Sequence, residues 1–381
     1  MSARRVLVAG AGPGGLAAAL ALGRAGMEPV VLERAPGLAS QGSGLTLWPN
    51  AMRALEALGA ADAVRKVSRP SEGIAMRAWN GETIFEVRDE HRLSEVMGVS
   101  GAAGHRAELL AALAALLPPG TIRYGSRVAG FREEAGGVVA ELEDGGELRG
   151  DALVGADGIR SATRARLFGG GDLEYAGYTV WRGVAEFGLE RAAGELSMGR
   201  GAQFGIFPMT RGRVYWFCAL NAPPGGRDGE TGARAALLEH FGDWHDPIPR
   251  VIGATDEAEI VRSDVYDRRP LRRWGRGRAT LLGDAAHPST PALGQGACQA
   301  IEDAVVLAEC LRGGAEVGPA LDEYQRRRAR RAAAMTMQAR QVGRMGQWEG
   351  RTACRLRDAL MRRIPERVRL RQLRWMFTFP A

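Results

Sequence analysis

The chain has 381 residues, 45% hydrophobic and 25% charged, with a formal net charge of +7. That length exceeds one small core and fits two intimately joined domains of a globular protein. Lys66 is the only lysine, and no basic stripe interleaves with aromatic residues, so the positive balance does not describe a nucleic-acid surface.

The four cysteines, Cys218, Cys298, Cys310 and Cys354, are scattered without a C-x-x-C pair. Neither a zinc site nor a disulfide framework is expected, and a reducing cytoplasm fits. Arg4 and Arg5 precede an apolar run to Leu22 that imitates a signal peptide, but Gly10, Gly12, Pro13, Gly14 and Gly15 break it. No segment reaches the roughly 20 apolar residues of a membrane span, so no stable membrane insertion is expected.

Taken in order, residues 4–9 predict a buried strand and residues 16–25 a helix. Between them stands G-x-G-x-x-G, written Gly10-Ala11-Gly12-Pro13-Gly14-Gly15. Gly10 permits the tight turn, Gly12 lets backbone approach a pyrophosphate, and Gly15 lets helix and strand pack closely. A second strand, 28–32, ends at Glu33, whose carboxylate suits a ribose 2′-hydroxyl and repels a 2′-phosphate; the site takes FAD or NAD. Residues 41–46 form a Gly-rich turn containing Gly44 and Thr46. It is either a surface loop or backbone wrapping a long cofactor. A helix follows from Pro49 to about Leu58.

Residues 73–99 read as strands of a second sheet, with His91 in a charged, solvated run. Gly104-His105-Arg106 opens a helix. A cation in its first turn opposes the helix dipole, so Arg106 is assigned to a phosphate. Residues 121–124, 126–133, 138–142 and 147–148 predict a β-meander. Strand 152–154 leads into Asp157-Gly158, with Arg160 and Arg164 behind it. Residues 174–220 carry aromatic-rich strands, among them Trp181, Phe204, Tyr215 and Phe217. They form either a flat pocket wall or sheet core. His240 and His245 have no partner at metal spacing.

Residues 279–282 predict a strand ending at Gly283-Asp284, and a helix begins near Gly296. Asp284 suits sugar-like hydroxyls. The free N–H groups from Gly294 to Ala297 suit an anion such as the N1–C2=O edge of a reduced flavin. The Arg-rich helix 319–343, with its RRRARR run, is expected to present a solvated face. The tail, 351–378, alternates arginine with apolar residues and is expected to dock on the body; a membrane-surface helix is the other reading.

These segments, in this order, resemble the FAD-dependent aromatic hydroxylases, the class A flavoprotein monooxygenases of p-hydroxybenzoate hydroxylase fold. The salicylate, 3-hydroxybenzoate and urate hydroxylase branch is the nearest in pattern. Gly10 to Gly15 with Glu33-Arg34 matches the family's ADP-binding motif, and Arg106 its cofactor arginine. Gly155-Ala156-Asp157-Gly158 matches its DG motif. Gly283-Asp284-Ala285-Ala286-His287-Pro288, with Pro291 and Gly294-Gln295-Gly296, matches its GD motif. The resemblance implies an α/β fold: a Rossmann-like FAD-binding domain (1–72, 100–172 and 268–318) interleaved with a mixed β-sheet substrate domain (73–99 and 173–267), then C-terminal helices (319–381). It implies tightly bound, non-covalent FAD, with NADH or NADPH and O₂ as co-substrates and an aromatic small-molecule substrate. The chain is expected to be a monomer or homodimer.

By the same resemblance, the FAD contacts are Gly10, Gly12, Pro13, Gly14, Gly15, Glu33, Arg34, Gly44, Thr46, Arg106, Val128, Asp157, Gly283, Asp284, Gly294, Gly296 and Ala297. The implied reaction is hydroxylation through a flavin C4a-hydroperoxide. Tyr215 is expected to activate the substrate, Gln295 to orient it, and the turn at Pro291 to exclude water. Gln203, Phe204, Tyr215 and Phe217 are expected against the substrate, and His287 in a structural role. Two departures stand out. Urate-hydroxylating members place an arginine twelve residues before the pocket tyrosine, where this chain has Gln203. Phenol hydroxylases often carry histidine at the position of Tyr215. A halogenase is disfavoured because W-x-W-x-I-P is absent. An alkene epoxidase remains the alternative, and a non-hydroxylating FAD-binding protein the lesser one.

Overall fold

The computed structural model describes residues 3–38, 43–88, 98–190 and 193–379. A six-stranded sheet runs in the spatial order Gly275–Arg276, Ala279–Leu281, Ala152–Gly155, Arg5–Ala9, Glu28–Leu32 and Ile122–Arg123. All its pairings are parallel except the short edge strand Gly275–Arg276. Val6, Leu7 and Val8 are fully buried, as a strand covered on both faces requires. Helices Pro13–Arg24 and Gly296–Leu311 pack together against this sheet.

A seven-stranded sheet forms the second layer system. Its order is Val261–Asp267, Glu174–Glu186, Arg213–Asn221, Ala202–Pro208, Gly194–Met198, Gly73–Ala78 and Thr83–Arg88. Only the pairing of Gly194–Met198 with Gly73–Ala78 is parallel, so the sheet is mixed. One face is buried under helices Gly232–Phe241 and Ile248–Gly253, around Phe204, Trp216 and Phe241. The other face meets a small sheet of Gly44–Leu47, Ala102–His105 and Ser68–Pro70, which also packs on helices Pro49–Ala57, Ala61–Val67 and Arg106–Ala114.

Helix Val317–Gly346 has 30 residues and so extends about 45 Å. Its N-terminal half packs on helix Gly296–Leu311, and its last glycine abuts Gln203 of the substrate sheet. Helices Arg351–Arg363 and Glu366–Phe377 then return over the sheet edge and helix Pro49–Ala57.

Two expectations are corrected. Residues 122–123 leave the meander and extend the six-stranded sheet beside Glu28–Leu32; Val31 N–H donates to Thr121 O at 2.8 Å. The RRRARR run is not wholly solvated. Arg328 is buried because Glu302 and Asp303 of the neighbouring helix face it, and Arg331 also bonds Glu302. His91 and residues 41–42 lie outside the described residues.

Candidate active site

The first strand ends in a cleft of about 370 Å³ lined by Gly10, Gly12, Glu33, Arg34, Arg106, Val128, Asp157 and Arg160, among others. Its tight turn is sterically fixed. Gly10 has φ +101°, and a Cβ on Gly15 would stand 1.9 Å from the Gly10 carbonyl oxygen. A Cβ on Gly14 would strike Leu282 and Ala300, which binds the helix to the GD segment, whereas beside Gly12 there is open space for a ligand. Pro13 opens the helix, where its missing N–H costs nothing. Glu33 accepts from Ala11 N at 2.7 Å and Ala35 N at 2.9 Å, which aims its carboxylate along the cleft.

Asp157 accepts through Oδ2 from the backbone and hydroxyl of Thr163, at 3.1 and 3.2 Å. Its Oδ1 is buried with no partner among the described residues. A buried carboxylate oxygen without a donor is costly, and a cofactor hydroxyl supplies one. The residues present therefore fit a dinucleotide.

The second half of the site is the segment from Gly283. Gly283 has φ +61° and donates to Asp303 Oδ2 at 3.1 Å. Asp284 is open to solvent yet ringed by protein; desolvation raises its pKa, opposed by His287 and Arg106. Arg106 thus acts on both the cleft and the GD segment. Pro291 starts a single 3₁₀ turn, and Gly294, at φ +61°, ends it and feeds helix Gly296–Leu311. The first N–H groups of that helix, including Gly296 and Ala297, have no intrahelical acceptor and favour an anion.

Under this turn lies a buried polar network. Gln295 Oε1 accepts from Asn50 Nδ2 at 2.9 Å and Gln299 Nε2 at 3.1 Å, and Gln295 Nε2 donates to Asn50 Oδ1 at 3.3 Å. This corrects the expectation for Gln295: its amide ties the turn to helix Pro49–Ala57 instead of facing substrate. His287 Nε2 lies 2.6 Å from Asp303 Oδ2. Burial pushes Asp303 up, but His287 and Arg328 outweigh it and hold the carboxyl at about 2.

The substrate-side wall comes from strand alternation. Phe207 pairs with Tyr215, Gly205 with Phe217 and Gln203 with Ala219; Tyr215 and Phe217 pair in turn with Val184 and Arg182. Directly paired side chains share a face. Phe207, Tyr215 and Phe217 cluster with Ala103 and Met209 on the side turned to the small sheet. The Tyr215 ring lies over Gly44, where a Cβ would come within 2.1 Å of it. Thr46 is buried two residues on. Gln203 meets Gly346, and the Tyr178 hydroxyl reaches Gly343 and Thr290.

Phe204 is a correction. It is fully buried on the opposite face, stacked on Trp216 at 5.4 Å and edge-on to Phe241 at 5.3 Å. Trp181 shares that far side, with its indole N–H on Asp228. Arg182 is the residue that sequence reasoning passed over. It is half-buried, donates to Ser263 Oγ at 2.8 Å, and its positive charge acts on Tyr215. Burial raises the Tyr215 hydroxyl, and Arg182 opposes that rise. The available signal was a lone cation on the apolar face Tyr178, Val180, Arg182, Val184.

A dinucleotide cradle whose acid-bearing second half ends in an anion-favouring helix start defines a flavoprotein. The chain belongs to the FAD binding domain family, whose model matches residues 3–339. It is 44% identical over 359 residues to an aurachin C monooxygenase/isomerase of Stigmatella aurantiaca, covering 94% of this chain and 93% of that one. It is 36% identical over 340 residues to a chloroplastic zeaxanthin epoxidase of Nicotiana plumbaginifolia, covering 84% of this chain and 50% of that one. The crystal structure of Klebsiella pneumoniae HpxO with FAD and uric acid superposes with a TM-score of 0.92 at 29% identity, over 99% of this chain and 97% of that one. The protein is an FAD-dependent monooxygenase of the aromatic-hydroxylase class.

Proposed function

We propose that the protein hydroxylates a flat, uncharged aromatic or heteroaromatic molecule bearing a ring hydroxyl or N–H. The observation that carries this is the Tyr215–Arg182 pair on a wall of Phe207 and Phe217. The rings offer π-faces to a planar substrate, and the pair offers one polar end. Bound FAD, reduced by NADH or NADPH, supplies an electrophilic oxygen derived from O₂.

The chain's own residues do the rest. Asp284 and the Gly296–Ala297 N–H groups would hold the cofactor's polar edges. Pro291 and its 3₁₀ turn cover the reacting side and keep water out. Tyr215 hydrogen-bonds the substrate's hydroxyl or N–H and draws electron density into the ring, while Arg182 holds the tyrosine oxygen polarised. Gln203 in place of an arginine removes the charge an anionic purine would need. On this reading the protein works as a monomer or homodimer in the cytoplasm, without nucleic acid.

The test is anaerobic reduction of the holoenzyme by NADH and NADPH with phenols, quinolines and urate. Acceleration of flavin bleaching by a neutral bicyclic and not by urate supports the reading. Equal rates with and without ligand overturn it. Likeness to a zeaxanthin epoxidase favours a second reading, oxygen transfer to an alkene; an epoxide or diol from a prenylated test substrate would establish it.

A further inference from the structure

The last two helices, Arg351–Arg363 and Glu366–Phe377, have an inner and an outer side that differ in chemistry. Inside, Arg357 donates to Gly199 O at 3.2 Å, Arg369 lies 4.5 Å over the Phe85 ring, and Phe377 stacks on Trp48 at 4.8 Å. These contacts fix both helices to the body. Outside, Leu356 and Leu360 are exposed one turn apart on the first helix, and Val368 and Trp375 two turns apart on the second. Beside them stand Arg351, Arg355, Arg363, Arg367, Arg371 and Arg374. All six are exposed, and their side chains have no hydrogen bond or ion pair among the described residues.

Residues 351–381 hold nine arginines against Asp358 and Glu366, so the net charge of this stretch equals the +7 of the whole chain. An aliphatic stripe flanked by unpaired arginines is the pattern of a helix lying in a lipid headgroup layer. Two other occupants fit less well. A second copy related by a two-fold axis would set arginine against arginine. A nucleic acid would leave Leu356, Leu360 and Val368 without a role, since aliphatic side chains do not stack on bases.

We propose that the outer side of these two helices docks the protein, peripherally and reversibly, on an anionic lipid bilayer. The arginines meet the headgroup charge, and Leu356, Leu360, Val368 and Trp375 enter the acyl boundary. Among the described residues no helix is long and apolar enough to cross a membrane, so the attachment is to one surface only.

The holoenzyme is to be sedimented with vesicles of phosphatidylcholine alone and with vesicles in which roughly a third of the lipid is phosphatidylglycerol. Binding to the anionic vesicles only, reversed by about 0.5 M salt, is expected. The triple variant R363E/R367E/R371E should bind at least roughly a hundredfold more weakly, from about fivefold for each positive charge removed and further repulsion from each negative charge added, with its flavin spectrum and NADH oxidation unchanged. The variant L356S/L360S should keep the salt dependence and lose affinity. No partition to anionic vesicles, or equal partition by the charge-reversed variant, overturns the proposal. So does tighter retention of duplex DNA than of vesicles at the same salt, or a dimer that the triple variant abolishes.

Discussion

Tyr215 is the residue on which the proposed chemistry turns. Removing its hydroxyl in Tyr215→Phe should leave FAD content and substrate affinity nearly intact but cut product formation by about 10²-fold, the lower end of what a positioned proton-transfer group contributes. Product formed per NADH consumed is the measurement; an unchanged ratio would remove Tyr215 from the mechanism. Arg182 opposes the burial that raises this hydroxyl, so Arg182→Met should move the limb of the activity profile that follows Tyr215 ionisation to higher pH. On the cofactor side, Asp284→Ala should weaken FAD binding by about 10–100-fold, the worth of hydrogen bonds to a charged group, measured by titrating apoprotein with FAD. These roles were only partly legible in the sequence. The glycines of the fingerprint announce themselves by spacing. Phe204 and Phe217 do not, because strand alternation divides side chains into two sets without saying which set faces the cofactor. Gln295 was misassigned for a related reason: its partners Asn50 and Gln299 reveal themselves only when three segments come together.

At the scale of elements, the buried cluster of His287, Asp303, Glu302, Arg328 and Arg331 holds the GD segment to the long C-terminal helix. Nothing in RRRARR distinguishes Arg328 from its neighbours; its burial is decided by two acids on another helix. Arg328→Met leaves both acids buried with less compensation, and should lower unfolding free energy by about 3–5 kcal/mol in urea titration. A loss under about 1 kcal/mol would show that the cluster is replaceable. The same cluster sets an acid limit. Asp303 is held at about 2, below its ordinary value, so its contribution is complete above about pH 4 and disappears as pH falls towards 2. Thermal melts across that window should show a drop that Asp303→Asn does not share. The substrate sheet has its own rule: aromatic rings lie across glycines of adjacent strands. A Cβ on Gly205 would meet the Phe217 ring at 2.3 Å, and one on Gly194 the Phe207 ring at 2.8 Å. Gly205→Ala should tip Phe217 and raise KM more than it lowers kcat.

For the molecule as a whole, the alternation of strand and helix in the first 32 residues foretold the α/β class. The interleaving of two sheets along one chain could not be read locally, because the segments of each sheet are separated by segments of the other. The concentration of charge in the last two helices has a consequence for handling and turnover. Residues 1–350 carry 42 basic and 42 acidic side chains, so the body taken alone is electrically neutral. Proteins near zero net charge associate and precipitate most readily. Loss of residues 351–381 after a protease cut in the exposed connection around Trp348–Gly350 would turn a strongly basic protein into an isoelectric one at physiological pH. The truncated product should be lost from cation-exchange resin and from solution together, so colloidal solubility hangs on a tail remote from the reacting centre.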